Sequence, residues 1–125
     1  MRYKICKPLI LNNVKLLGPK GFVKVDMILD TKAVVSSISW TDLKLIGYDP
    51  AVVPDLQKII TANGIVEIPK LRVECIAVGD IKAKSVEVVW QDIPDLVRVR
   101  GLLGLNFLKN FTTVINYRQD YLEIS

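Results

Sequence analysis

Val25-Asp-Met-Ile-Leu-Asp-Thr-Lys-Ala33 is an apolar run that ends on an acid. Val23, Val25, Met27 and Leu29 fall on one face of an extended chain, opposite Lys24, Asp26 and Ile28, which is the period-two signature of a strand. Asp30 then closes the strand and Thr31 follows at once. A carboxylate at the end of an apolar strand is costly unless hydrogen bonds or chemistry require it there. Asp30 is therefore the first candidate site residue.

Outward from this stretch the chain stays extended. Ile65, Leu71, Val73 and Cys75 belong to a second long strand-like run, and residues 81–90 to a third, with Val86 and Val88 on one face. Residues 112–117 and 121–124 form a closing pair around Arg118-Gln119-Asp120, a hairpin turn by composition. Gly, Pro, Asn and Asp punctuate these runs, so the expected fold is all-β, a small barrel or sandwich. Two short helices interrupt it. One runs from Ser39 or Thr41 to Ile46 with Gly47 as its stop, and one covers residues 106–110. Met27–Ala33 and Arg100–Asn106 echo each other: in both, two bulky aliphatics precede a turn residue, Asp30 in one and Gly104 in the other. Without linker or low-complexity tract, residues 1–125 read as a single domain.

Composition excludes several chemistries. The 125 residues contain no histidine, which removes Ser-His-Asp and Cys-His nucleophile systems and imidazole-based zinc sites. Cys6 and Cys75 form no CxxC, so a four-cysteine metal site is also excluded and no metal is expected. The net charge of +4 is mild and scattered over Lys70/Arg72, Lys82/Lys84 and Arg98/Arg100, pairs read as solvated strand faces. Gly18-Pro19-Lys20-Gly21 has the GxxG shape of a nucleic-acid clamp, but it separates two strands and reads as a turn. No nucleic-acid partner is expected. No apolar run approaches the roughly 20 residues of a membrane helix, and the stretch after the basic start is too short for a secretory core. The expectation is a cytoplasmic chain without a membrane partner.

Four motifs in order carry a family resemblance: Asp30-Thr-Lys-Ala33 after the apolar strand, the Thr61-Ala-Asn-Gly64 turn, Gly101-Leu-Leu-Gly-Leu-Asn-Phe-Leu108, and the closing hairpin. From about Val23 to Ile124 the chain resembles the retropepsin-like aspartic proteases, in the small stand-alone form found in prokaryotes. The resemblance implies a retropepsin-like acid-protease barrel with one or two short helices and no cofactor. It implies that Asp30 is the catalytic carboxylate and that the Thr31 hydroxyl binds the partner chain's loop. Ala33 would lie against a peptide or protein substrate. Thr61, Ala62, Asn63 and Gly64 would tip a mobile flap, and Gly104 would be the structural counterpart of the aspartate turn.

Peptide hydrolysis by this route needs two carboxylates sharing one proton, one acting as base on water and one as acid on the carbonyl. The chain has one Asp-Thr unit, so the implied enzyme is a homodimer with one Asp30 from each copy. Lys32 departs from the family pattern, which has Gly at that position. A side chain there brings strain of about 1–3 kcal/mol if the backbone demands a glycine conformation. An ammonium within about 4–6 Å of the acids also favours their ionised forms over the shared-proton pair. The sequence therefore predicts an aspartic endopeptidase domain impaired or inactive in this form. The alternative is a non-catalytic dimerisation or peptide-binding domain with the same fold. Asp92 and Asp95 read as a solvated loop, Trp40 and Trp90 as packing residues, and Cys75 as core.

Overall fold

The computed structural model describes residues 2–4, 9–49, 55–94 and 96–125. Asp95 and Cys6 lie outside them. The period-two pattern at the centre of the sequence becomes a strand over Gly21–Leu29 (β3), with Val25, Met27 and Leu29 buried. It follows Arg2–Lys4 (β1) and Ile10–Gly18 (β2). Gly18 pairs with Gly21, so Pro19 and Lys20 form the two-residue turn between β2 and β3. Next come Ser36–Ser39 (β4), the helix Trp40–Leu45 (α1), Asp55–Thr61 (β5), Gly64–Val78 (β6), Ile81–Gln91 (β7) and Val99–Leu103 (β8). The helix Leu105–Leu108 (α2), Thr113–Asn116 (β9) and Tyr121–Ile124 (β10) end the chain.

Strands β2, β3, β8, β4, β7 and β6 pair in that order, and β6 pairs back onto β2, which closes a barrel. Most neighbours are antiparallel, but β3 and β8 are parallel, as are β4 and β7. β5 extends the sheet beyond β6, and β1, β10 and β9 form a separate three-stranded sheet. The barrel interior is packed by Leu11, Leu16, Met27, Ile38, Val73, Ile76, Leu103 and Phe107, all fully buried.

Three places depart from simple alternation. β2 carries one extra residue against β3 between Leu11 and Val14, where Asn13 adopts φ +59° and its N–H donates to Asp26 Oδ1 at 3.2 Å. This bulge keeps Leu11 and Val14 both buried although they are three apart. In β6 the buried positions change parity from Val73 to Ile76 and Val78. In β7 they change from Ala83 to Val86, around Ser85 at φ +54°. Cys75 falls at that change and is only half-buried, which corrects its expected place in the core.

Helix boundaries shift slightly from expectation. Ser39 is the N-cap of α1 by position, yet its hydroxyl makes no cap bond and instead accepts a 2.7 Å hydrogen bond from Arg100 Nη2. Gly47, at φ +104°, turns the chain away after α1, as its position suggested. The second helix begins at Leu105, directly after Gly104, rather than at 106. Arg100 also overturns the solvated reading of the basic pairs. Its side chain is 11% exposed and bonds Asp42 Oδ2 at 2.9 Å, whereas Arg98, 77% exposed, pairs with Asp26 at the surface.

Candidate active site

Parallel pairing of β3 with β8 puts Leu29 opposite Leu103. The next residues on the two strands, Asp30 and Gly104, are thereby abreast, and the Asp30 N–H donates to Leu103 O at 2.9 Å. The two echoing sequence units thus meet in space. After Asp30 the chain turns. Lys32 N–H donates to Asp30 Oδ1 at 2.9 Å and Ala33 N–H to Asp30 O at 3.3 Å, an Asx-type turn that fixes the carboxylate at the end of the strand. Asp30 is half-buried, Thr31 and Lys32 are exposed, and Ala33 is half-buried.

Polar bonds from the other half brace this loop. Leu105 N–H donates to Ala33 O at 2.7 Å and Asn106 N–H to Val34 O at 3.1 Å. Ser36 Oγ accepts from Gly104 N–H at 2.9 Å and donates to Asn106 Oδ1 at 2.8 Å. The Ser36 N–H also donates to Asn106 Oδ1, and the Asn106 amide nitrogen donates to Glu87 O. Ser36 and Asn106 are thus positioning residues that the sequence reading did not single out. Their only signal was a serine-rich strand and an Asn inside a conspicuous motif.

Gly104 is required by space. A Cβ there would lie 2.6 Å from Ala33 O and 3.0 Å from the Val35 carbonyl carbon, both backbone atoms of the Asp30 loop. Its φ of −100° is open to any residue, so the constraint is close approach. Gly104→Ala is expected to lower stability by about 1–3 kcal/mol and to displace the loop, read as a lower urea midpoint at unchanged slope.

Lys32 carries no conformational penalty. Among the described residues the non-glycine positions with positive φ are Asn13, Ser85 and Asp120, so the strain expected of a lysine at this position is absent. Among the described residues, no ion pair joins Lys32 to Asp30. The Thr31 hydroxyl makes no hydrogen bond within the described chain. Thr31 borders a hollow of about 430 Å³ lined by Leu105, Leu108, Phe111, Thr113 and Ile115. There the Thr113 hydroxyl is buried without a partner.

Thr61, Ala62, Asn63 and Gly64 form the tip of the β5–β6 hairpin, with Thr61 paired to Gly64 and Gly64 at φ +117°. The structure thus brings Asp30, Thr31, Lys32, Ala33 and Gly104 together and sets 61–64 on a separate hairpin. Ile60, Ile65 and Val66 near its tip are exposed. Trp90 is buried as expected, and exposed Asp92 accepts from Trp40 Nε1 at 3.3 Å. Among the described residues no cluster of three or more Cys, Asp or Glu side chains could hold a metal.

A sequence model of the gag-polyprotein putative aspartyl protease family matches residues 20–110. The chain belongs to this family. The match takes in the Asp30 loop, the 61–64 hairpin tip and Gly104, and leaves the terminal three-stranded sheet outside. Among solved structures, the crystal structure of a retropepsin-like aspartic protease from Rickettsia conorii superposes with a TM-score of 0.70 at 20% identity, covering 100% of this chain and 97% of that one. The fold of this gag-type aspartyl protease relative is therefore the all-β retropepsin-like barrel with two short helices. No curated protein matches the chain. No helix among the described residues is long and apolar enough to cross a membrane.

Proposed function

We propose that residues 1–125 act as one aspartic endopeptidase domain, assembled as a homodimer with one Asp30 from each copy and impaired by Lys32. The observation that carries this reading is the pairing of Asp30 with Gly104. Within one chain the position abreast of the acid has no side chain, so the second carboxylate of a proton-sharing pair comes from a second copy. The Thr31 side supports the same assembly. A free hydroxyl, a hollow with an unpartnered buried Thr113 hydroxyl, and Leu105 at 42% exposure are what a partner loop would cover. In this reading Asp30 is catalytic, Thr31 bonds the partner loop, Ala33 borders an extended peptide, and residues 61–64 close over it as a flap. Two lysines, one per copy, would flank the acid pair and favour its doubly ionised form, which lacks the proton needed for the carbonyl.

The assembly is tested by sedimentation and cleavage together. A dimer in the micromolar range is expected, with residual cleavage of an unfolded protein substrate at mildly acidic pH that Asp30→Asn reduces to background. A strictly monomeric chain, or cleavage that survives Asp30→Asn, overturns the reading. A dimer that binds peptides but cleaves none, even with Gly at position 32, would establish a non-catalytic binding domain.

A further inference from the structure

The outer face of the barrel where β3, β2, β6 and β7 lie side by side carries cations and apolar side chains in register. The ladders align two rows across these strands: Phe22, Leu17, Cys75 and Lys84, and beside it Lys24, Lys15, Ala77 and Lys82. Leu16, Ile76 and Ala83, which stand between the rows, are buried, so both rows point outward. Lys24, Lys82 and Lys84 are exposed, and none of the four lysines has a carboxylate partner among the described residues. Leu17 and Phe22, directly opposite each other, are 36% and 57% exposed. Lys15 Nζ lies over the Phe22 ring, 4.4 Å from its centroid. A hollow of about 380 Å³ adjoins the second row, lined by Tyr3, Asn12, Asn13, Lys15, Lys24 and Ala77. The neighbouring acids are Asp26, already held by Arg98 at 2.8 Å, Glu74 before Cys75, and Asp80 in the β6–β7 turn.

We propose that this face docks on an anionic phospholipid membrane, lying on its surface without crossing it. The lysines meet lipid phosphates and carboxylates as flexible point charges. Phe22 and Leu17 add what a purely ionic partner does not use, an apolar area that enters the boundary between headgroups and acyl chains. The hollow beside Lys15 and Lys24 is large enough for a headgroup. A nucleic acid fits this face less well. The rows hold no arginine, asparagine or glutamine to read base edges, and an ammonium already covers one side of the Phe22 ring. The face is also remote from the acid loop. Lys24 lies about 20 Å along β3 from Asp30, so a docked chain keeps that loop open to solvent.

The probes are vesicles of phosphatidylcholine alone and of phosphatidylcholine with about 30% phosphatidylserine, floated with the full chain. The chain is expected to float with the serine-containing vesicles only, and to be released as salt rises toward about 0.5 M. A lysine near such a surface is worth about fivefold in affinity, so Lys24→Glu with Lys82→Glu should weaken binding by at least about 30-fold. Lys44→Glu with Lys58→Glu makes the same change in net charge on α1 and β5, off this face, and should cost under about threefold. Phe22→Ser should weaken binding by about tenfold and leave its salt dependence unchanged. All of these positions are exposed, and circular dichroism of each variant should match the parent. No flotation, equal flotation with both vesicle types, an equal loss from the two charge pairs, or full binding by Phe22→Ser overturns the proposal. So does tighter binding to a single-stranded oligonucleotide than to the serine-containing vesicles, which would assign the face to nucleic acid.

Discussion

Lys32→Gly is expected to raise peptide cleavage near neutral pH by about 100-fold. The estimate follows from the charge alone. Two ammonium groups beside the acid pair favour its doubly ionised form over the proton-sharing one, and a hundredfold fall in competent molecules corresponds to about 2.7 kcal/mol. The sign with pH is fixed. The lysines favour the doubly ionised pair, so the competent form returns as protons are added. The gain from Lys32→Gly should be largest toward pH 7 and shrink toward about pH 3–4, where carboxylates protonate in any case. Activity of the unmodified chain should rise as pH falls across that window. Stability should move the other way. Lys32 occupies ordinary backbone, so glycine there adds only freedom to the unfolded chain, a loss of about 0.5–1 kcal/mol. An activity gain with a slightly lower melting temperature separates a charge effect from relief of strain. No gain in a folded, dimeric glycine variant would refute the electrostatic account of impairment.

The second large effect concerns stability. Arg100→Met is expected to cost about 3–5 kcal/mol, because it leaves the Asp42 carboxylate buried without its cation. Both side chains of the pair are 11% exposed. Arg100 Nε donates to Asp42 Oδ2 at 2.9 Å and Nη2 to Ser39 Oγ at 2.7 Å. Nη1 reaches the Pro94 and Val97 carbonyls at 2.8 and 3.1 Å. One guanidinium therefore ties the loop after β7 to the start of α1. Arg100→Lys should recover little, since an ammonium cannot reproduce the fork. The paired change Arg100→Met with Asp42→Leu should restore much of the loss, because it removes the stranded charge. Urea unfolding at fixed protein concentration measures all three, as dimerisation makes the midpoint concentration-dependent. A cost under about 1 kcal/mol for Arg100→Met would show that water screens this pair as at a surface.

Much of this is legible in the sequence. The alternation of Val23 to Leu29 specified β3, and the repeated aliphatic pairs before Asp30 and Gly104 suggest a core of two related halves, whose loops the β3–β8 pairing sets abreast. The hairpin tips at Pro19-Lys20 and 61–64 followed from their glycines. What stayed hidden depends on long-range pairing. Ser36 and Asn106 are 70 residues apart, and the antiparallel β4–β8 register, with Ser37 opposite Leu102, brings them into contact. The burial of Arg100 was invisible because an arginine next to Arg98 on a strand looks like a charged surface. Cys75 was misplaced for a different reason. Alternation assumes one buried face per strand, and β6 changes faces as the barrel closes onto β2.

That same strand has a mechanical consequence. β6 runs unbroken for 15 residues from the hairpin tip to the barrel, but its pairing with β7 begins only at Lys70. The residue before it, Pro69, has no N–H to give β7 and is laddered only to Leu56 of β5. The strand therefore works as a cantilever clamped from Lys70 onward, its outer span carried by β5 alone. Whatever presses on the tip bends the beam at that proline and leaves the aspartate loop, anchored across the barrel on β8, undisturbed.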